Sequence, residues 1–419
     1  MIRHTLFFAI FSALLQPLAA QQLDYPLLAL NDSLLGRVML TAQSANLNVA
    51  IASRSIITAQ LALKSTRAGY FPTLQAQASY GYTRAESRGA AAAAAAISWE
   101  IDLFGRIAVQ AKADKAAVEL SRAEMQGVML SLMAQVATDY VSLRTAQRQL
   151  AVALEHAESQ RSAMEIARAR HQAGLASQLD VSEAEAVYFT TLAGVPQFRA
   201  TIAQMPNSLT VLTAAADTAQ IALLRQPRPL PQVEPTVPDA VATERLRQRP
   251  DIEQAEQQIH VYAAQLGVER KAYLPLLQLS GSVGVDRGSL AYALTPTLTW
   301  TLFDGLTRRY AVETARQKVL SATDSYQLAL LTAVEETRSA LADYHFTLQR
   351  IAVLQDAVDA SRRAQELAIE KYKGGLTAFI TVADAQITYL ENRNSLIEAH
   401  GRALTALITL CKAVGGNYL

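Results

Sequence analysis

The sequence predicts an α+β membrane protein of two tandem repeats, each supplying strands to a shared transmembrane β-barrel that long helices continue. Three observations predict it. The chain is written twice at a spacing of 201 to 203 residues: Tyr70-Phe71-Pro72 recurs as Tyr273-Leu274-Pro275, Gly81 as Gly284, Trp99 as Trp300, and Arg170-His171-Gln172-Ala173-Gly174-Leu175 as Lys371-Tyr372-Lys373-Gly374-Gly375-Leu376. Each copy holds two segments in which apolar and polar residues alternate, and a proline-free stretch of some 66 residues with near-heptad apolar spacing. Each copy therefore reads as helix, strand pair, very long helix, Gly-Leu turn, helix.

Residues 1–20 carry a short basic start (Arg3, His4), an apolar run from Leu6 to Leu15, and Leu18-Ala19-Ala20 before Gln21. They are expected to be a secretory signal, leaving an exported chain that starts near Gln21. A first repeat is expected over 21–205, with strands at about 72–102 and long helices at about 104–205; 206–250 form a linker. The second repeat follows over 251–419, with strands at about 274–303 and long helices at about 305–414. Past the signal no apolar stretch approaches the roughly 20 residues of a membrane-spanning helix, so membrane entry must use strands. The one cysteine, Cys411, excludes a disulfide framework or a Cys-rich metal site. A net charge of +1, from 38 basic and 37 acidic residues, argues against nucleic acid as a partner.

From Thr73 to Arg84 the alternation sets Leu74, Ala76, Ala78, Tyr80 and Tyr82 against Thr73, Gln75, Gln77, Ser79 and Thr83. The run Ala90–Ala96 favours helix by propensity. Ile97, Trp99 and Ile101 against Ser98, Glu100 and Asp102 restore the alternation, and the repeat copy ending at Trp300 assigns the segment to a strand. In the second copy Leu277, Leu279, Val283 and Val285 oppose Gln278, Ser280, Ser282 and Asp286. Leu290, Tyr292, Leu294, Leu298, Trp300 and Leu302 oppose Thr295, Thr297, Thr299 and Thr301. An apolar outer face with aromatic ends and a hydroxyl-lined inner face suits a water-filled membrane barrel, although a soluble β-sandwich alternates too. Strand number decides between them in one respect. One chain supplies four strands, closed membrane barrels need about 8 or more, and open edges in lipid cost several kcal/mol per unpaired group. Several chains must share one barrel, and three would give 12 strands.

The long helices, from about Arg106 to His171 and from Leu306 to Tyr372, contain no proline. Val136, Tyr140, Leu143, Leu150 and Leu154 mark the first seam; Tyr326, Leu330, Ala333, Leu341, Tyr344, Leu348 and Ile351 mark the second. At 1.5 Å per residue each helix spans about 100 Å, and the 3.5-residue period implies supercoiled packing. A coiled-coil structural or adhesive rod shares that period, but has no reason to pass twice through a hairpin with a lipid-type face. In the returning helix of the first copy, Pro196 and Pro206 predict a kink or break. Pro227, Pro229, Pro231, Pro235 and Pro238 predict an extended linker.

The segments Trp99-Glu100-Ile101-Asp102-Leu103-Phe104-Gly105-Arg106, Phe303-Asp304-Gly305, Arg249-Pro250-Asp251-Ile252-Glu253-Gln254-Ala255-Glu256 and Tyr372-Lys373-Gly374-Gly375 with Asp384-Ala385-Gln386 resemble, together and in order, the outer-membrane efflux duct family of TolC and OprM. The resemblance spans about Ser33 to Val414 and is nearest the OprM/NodT branch serving multidrug pumps. It implies a homotrimer with a 12-stranded barrel in outer-membrane lipid, a periplasmic helical tunnel and a mixed equatorial girdle. It also implies no cofactor, with energy from an inner-membrane pump joined through a periplasmic adaptor. A protein-secretion duct of the same architecture is the alternative. Three positions depart from the family pattern: no cysteine stands near the signal's end to carry a lipid anchor, and Thr377 and Thr381 replace an arginine and an acid of the TolC branch.

Glycines free the backbone for left-handed turns, so Gly174-Leu175 and Gly375-Leu376 are expected to reverse the long helices at the periplasmic tip, where an adaptor would touch. Past the turns stand Asp180 and Glu183, and at the same offsets Thr381 and Asp384. The resemblance places the closed aperture here, with Asp384 as a carboxylate ring, Ile380 as an apolar constriction, and Thr381, Tyr372 and Asp180 beside them. Symmetry-related carboxylates at a narrow mouth would attract cations. Asp180 and Asp384 equally suit a simpler role at the N-terminal turns of their helices.

An enzymatic reading finds little support. His4, His156, His171, His260, His345 and His400 make no HExxH pattern, and Gly281 to Gly288 lacks the helix a phosphate loop requires. Glu335-Glu336 and Glu100 with Asp102 are carboxylate pairs better placed for helix contacts and the barrel base than for acid–base chemistry. The expected activity is passive export of small molecules through a gated channel, with no catalysis.

Overall fold

The computed structural model of the chain describes residues 30, 32–83, 88–215, 218–231, 246–286 and 289–416. The expected signal over 1–20, its end at Gln21, and linker residues Pro235 and Pro238 lie outside these. Helix α1 (Ser33–Ala45) starts at Asp32, whose carboxylate accepts from the N–H groups of Leu34 and Leu35 at 2.8 and 3.2 Å and from the hydroxyl of Tyr140. Helix α2 (Leu47–Ala68) starts at Asn46, whose amide donates to the Leu212 carbonyl at 2.8 Å. Strands β1 (Thr73–Thr83) and β2 (Arg88–Ile101) lead into α3 (Arg106–Gln172), α4 (Gln178–Leu212) and the short α5 (Thr218–Leu224). After the linker come α6 (Pro250–Lys271), β3 (Leu276–Asp286), β4 (Ser289–Thr299), α7 (Thr307–Lys373) and α8 (Phe379–Ala413). Helices α3 and α7 have 67 residues each, α4 and α8 35 each, and α2 and α6 22 each.

The strands form one antiparallel sheet in the order β1-β2-β3-β4, so the two hairpins join through β2 and β3. Register puts Leu74 opposite Ile97, Ile97 opposite Gly281 and Gly281 opposite Leu294, with Trp99 opposite Leu279 and Val283 opposite Tyr292. All of these fall on one face. Gln75, Gln77, Ser98, Glu100, Gln278, Ser280, Thr295 and Thr297 fall on the other, where Gln278 donates to the Ser98 hydroxyl at 2.9 Å. The alanine run is strand despite its helix propensity because it pairs on both sides, and β3 meets it with Gly284, where a Cβ would lie 3.0 Å from that of Ala94. Leu74, Tyr80, Leu290, Tyr292, Leu294 and Leu298 are all at least 62% exposed. A soluble protein does not leave such a face in water. At the sheet's base the indole N–H groups of Trp99 and Trp300 donate to the carbonyls of Tyr70 and Tyr273, at 2.9 and 3.0 Å. Asp102 accepts from the N–H groups of Ile107 and Ala108 at the start of α3, while Glu100 pairs with Arg106 at 2.7 Å. Both carboxylates of that pair therefore hold the strand-to-helix corner.

The returning helix α4 is not broken. It runs unbroken through both Pro196 and Pro206, and it extends past the boundary expected at 205 to Leu212. Proline inside a helix costs about 3 kcal/mol. Packing offsets it: Thr191, Val195, Pro206 and Leu209 are buried, Ser208 donates to Asp139 on α3 at 2.5 Å, and the carbonyl of Pro206 accepts from the Thr210 hydroxyl at 2.7 Å.

The seam of α7 also differs in composition from the expectation. From Ala333 onward its buried residues are Ala333, Thr337, Ala340, Tyr344, Thr347, Val358, Ser361, Gln365, Ala368 and Tyr372, a strict alternation of four- and three-residue steps once the partly buried Ile351 and Leu354 are included. Small and hydroxylated side chains make up much of it. Leu341 and Leu348 flank the seam, and Leu328, Leu331, Phe346 and Val353 point away from the chain, exposed.

The largest core lies midway along α3, where Leu34, Leu35 and Val38 of α1 pack on Met133, Val136, Tyr140 and Leu143, closed by Leu209, Leu224, Leu404 and Ile408. Arg144 is fully buried there. It donates to Gln147 at 2.7 Å and to the carbonyls of Gln226 and Leu224 at 2.9 and 3.3 Å, and stacks on the Tyr140 ring at 4.6 Å. One side chain thus ties the segment after α5 to the long helix. Arg249 does the same for the second half. Its guanidinium bonds Asp251 and Glu336, each at 2.7 Å, and the Ala413 carbonyl at 2.9 Å, joining α6, α7 and α8. Among the described residues no helix is long and apolar enough to cross a membrane.

Candidate functional site

The end of the molecule opposite the sheet is built from two helix turns. In the first, Gly174 (φ +69°) bonds back to the His171 carbonyl at 2.9 Å and Leu175 to that of Arg170 at 2.8 Å. In the second, Gly375 (φ +74°) bonds to Tyr372 and Leu376 to Lys371, both at 2.9 Å. Both are Schellman endings, which require a residue at ease with positive φ. Leu175 and Leu376 project from them, 67% and 79% exposed. Below the turns a core of Ala163, Met164, Ala167, Ala184, Ala368, Tyr372, Phe379, Val382 and Ala383 brings all four helix ends together.

The residues singled out in the sequence fall into two groups here. Asp180 and Tyr372 are engaged within the chain. Asp180 forms a capping box with Ser177 at the start of α4, accepting from its N–H at 3.3 Å while the Ser177 hydroxyl accepts from the Asp180 N–H at 3.1 Å. Tyr372 is buried, 4% exposed, edge-on to Phe379 with ring centres 5.3 Å apart. Burial first, and then the Asp180 carboxylate, hold its hydroxyl above the usual phenol range, so it stays protonated. Asp384, Ile380 and Thr381 stand on the surface of α8. Asp384 has no hydrogen bond among the described residues and sits beyond the first turn, where the helix dipole has faded. Ile380 is 47% exposed, and Thr381 accepts from the Thr377 hydroxyl at 2.9 Å. At the start of α8, Ala378 offers no side-chain cap where α4 has Ser177.

Sequence reasoning missed Arg170, whose guanidinium crosses to the second turn, and His156, buried with its ring 4.9 Å from that of Tyr389. The Arg170 partner lies 203 residues away, so no local pattern could reveal it. Close to His156 in the same seams, Gln160 and Gln386 are buried without hydrogen-bond partners among the described residues. Unpaired buried amides cost about 1–3 kcal/mol each.

Burial, reinforced by Arg393 and opposed by Glu155, pushes His156 down to about 4 from 6.5. Below pH 6.5 the unfolded chain takes up a proton that the folded chain refuses until about pH 4. Stability is therefore full above pH 6.5 and falls across that window, by about 3 kcal/mol at this site. Denaturant midpoints at pH 7 and pH 4.5 should show a smaller acid loss for His156→Gln than for wild type; equal losses would place the charge change elsewhere.

Against known proteins, the chain matches the outer membrane efflux protein (OEP) family over residues 38–215 and again over 241–416. It is 28% identical to outer membrane protein OprJ of Pseudomonas aeruginosa over 329 residues, covering 76% of this chain and 68% of that protein. Toluene efflux pump outer membrane protein TtgI of Pseudomonas putida is 25% identical over 413 residues, 92% of this chain and 86% of the relative. Among solved structures, the outer-membrane channel OprN superposes with a TM-score of 0.84 at 26% identity, over 92% of this chain and 91% of that one. With two matched segments that together span most of its length, the chain belongs to the outer membrane efflux protein family.

Proposed function

We propose that this chain is the outer-membrane exit duct of a tripartite efflux system, exporting small molecules passively. One observation carries the reading: a four-stranded sheet with a largely exposed apolar face and two unpaired edges stands at one end of helices about 100 Å long. Edges are intolerable in lipid. Three copies, each pairing its β4 with the next copy's β1, close a barrel of 12 strands whose polar face lines water. The same symmetry covers the exposed Leu328, Leu331 and Phe346 of α7 against neighbouring helices and turns the bundles into a tunnel. In this reading the chain lies in the outer membrane and extends into the periplasm, with each half, 21–205 and 251–419, acting as one repeat around the equatorial linker. The exposed Leu175 and Leu376 beside Gly174 and Gly375 offer an adaptor protein its contact, and an inner-membrane pump supplies the energy. Asp384, Ile380 and Thr381 line the closed mouth, with Tyr372 and Asp180 as its supports. The efflux-pump names of relatives such as TtgI favour small apolar or amphiphilic cargo.

Planar-bilayer recording of the purified trimer tests this. Small cation-selective openings are expected without any nucleotide. Inserted trimers that never conduct, with or without an adaptor, would refute it.

A further inference from the structure

Arg170 joins the two helix turns of one chain by a contact that the first half makes and the second does not return. It stands in the last turn of α3, half-buried, and its Nη1 donates to the carbonyl of Lys373, the last residue of α7, at 2.8 Å. Its Nη2 lies 3.4 Å from the carbonyl of Leu175 in its own turn. Its Cζ stands 5.1 Å from the centre of the Tyr372 ring. A side chain at Gly375 would meet Nη2 at 3.3 Å, so glycine there serves the guanidinium as well as the turn. The C-terminal ends of α3 and α7, each carrying partial negative charge, thus converge on one cation. In the second copy the matching residue is Lys371, which is exposed. An ammonium could not replace this arginine, because two divergent carbonyl bonds and a ring contact call for a planar, forked cation.

We propose that Arg170 is the clamp that holds the two helix turns of each protomer together, and that its contact with Lys373 and Tyr372 sets how readily the periplasmic mouth opens. The consequence for conduction rests on the duct reading above; the clamp itself does not. The carbonyl of Lys373 is an end-of-helix acceptor with no other protein donor among the described residues, so losing Arg170 frees the second turn to move away from the first. Tyr372 contributes its ring face rather than its hydroxyl, which has no hydrogen-bond partner among the described residues.

Two readouts test it in trimers diluted with unlabelled chains and checked for heat-modifiability. Spin labels at Leu175→Cys and Leu376→Cys should give one narrow distance in wild type and a broad, longer distribution in Arg170→Ala. Arg170→Lys should also broaden it, while Tyr372→Phe should leave it narrow. In bilayers the conductance of Arg170→Ala and Tyr372→Ala should rise several-fold, and the double variant should rise no further than either, since both remove one contact. A narrow wild-type distance retained in both Arg170 variants overturns the clamp. A distance that broadens while conductance stays at wild-type level overturns its role in opening. Silent wild-type bilayers beside a broadened distance would fail the duct reading and leave the clamp standing.

Discussion

Replacing Asp384 with alanine is expected to abolish most of the channel's cation preference and to enlarge its openings. In one protomer the carboxylate is exposed and makes no hydrogen bond among the described residues, so in the proposed trimer it is free to face its two symmetry copies. Even at the dielectric constant of water, a cation about 6 Å from three carboxylates gains roughly 2 kcal/mol, about a thirty-fold preference over a neutral mouth. Asp180→Ala should do far less to selectivity, because that carboxylate is occupied in its capping box; its cost, about 1 kcal/mol, falls on α4. Reversal potentials in a salt gradient distinguish the two. Equal preference in wild type and Asp384→Ala would move the aperture away from the tip.

Arg249→Ala is expected to destabilise the trimer by about 2–3 kcal/mol. The side chain is buried, while Asp251 and Glu336 keep nearly half their surface in water, so the loss falls short of the 3–5 kcal/mol typical of a fully buried pair. It would leave α6, α7 and α8 without their common joint. Arg249→Lys should recover part of the loss, since it keeps the charge and loses the fork. The temperature at which trimers dissociate in detergent gives the comparison; an unchanged temperature would show that the α6–α8 packing needs no such joint.

The parts legible in the sequence are those with short periods. Strict alternation marked the strands, and a repeat copy overrode the helix propensity of Ala90–Ala96. Absence of proline between 106 and 171 marked a helix of full length, and Gly174 and Gly375 marked its reversal. Proline was over-read at 196 and 206, because local cost is visible in a sequence while the packing of α4 on α3 is not. Of the expected α7 seam, Ala333 and Tyr344 are buried, while Thr337, Ala340 and Thr347, equally buried, were passed over for larger neighbours that are only partly so. What stayed hidden rests on long-range partners. Arg144 meets Gln226, Arg249 meets Glu336 and Arg170 meets Lys373 across 82, 87 and 203 residues. The run containing Arg249 stood out only through family resemblance, with no physical role attached until its three partners appeared around it.

In the proposed trimer one chain supplies a third of a closed barrel, and cysteine cross-linking between edge strands tests that directly. Cysteines at Gln75 or Gln77 on β1, combined with one at Thr295 or Thr297 on β4, face the same side of the sheet at its two free edges. The native Cys411 will not interfere, since burial pushes its thiol up to about 12. Oxidation in outer membranes should give a ladder that ends at three chains for at least one pair, with each single variant remaining monomeric on denaturing gels. A ladder ending at two or four, or no cross-link from any pair in membrane-inserted protein, would contradict the shared barrel.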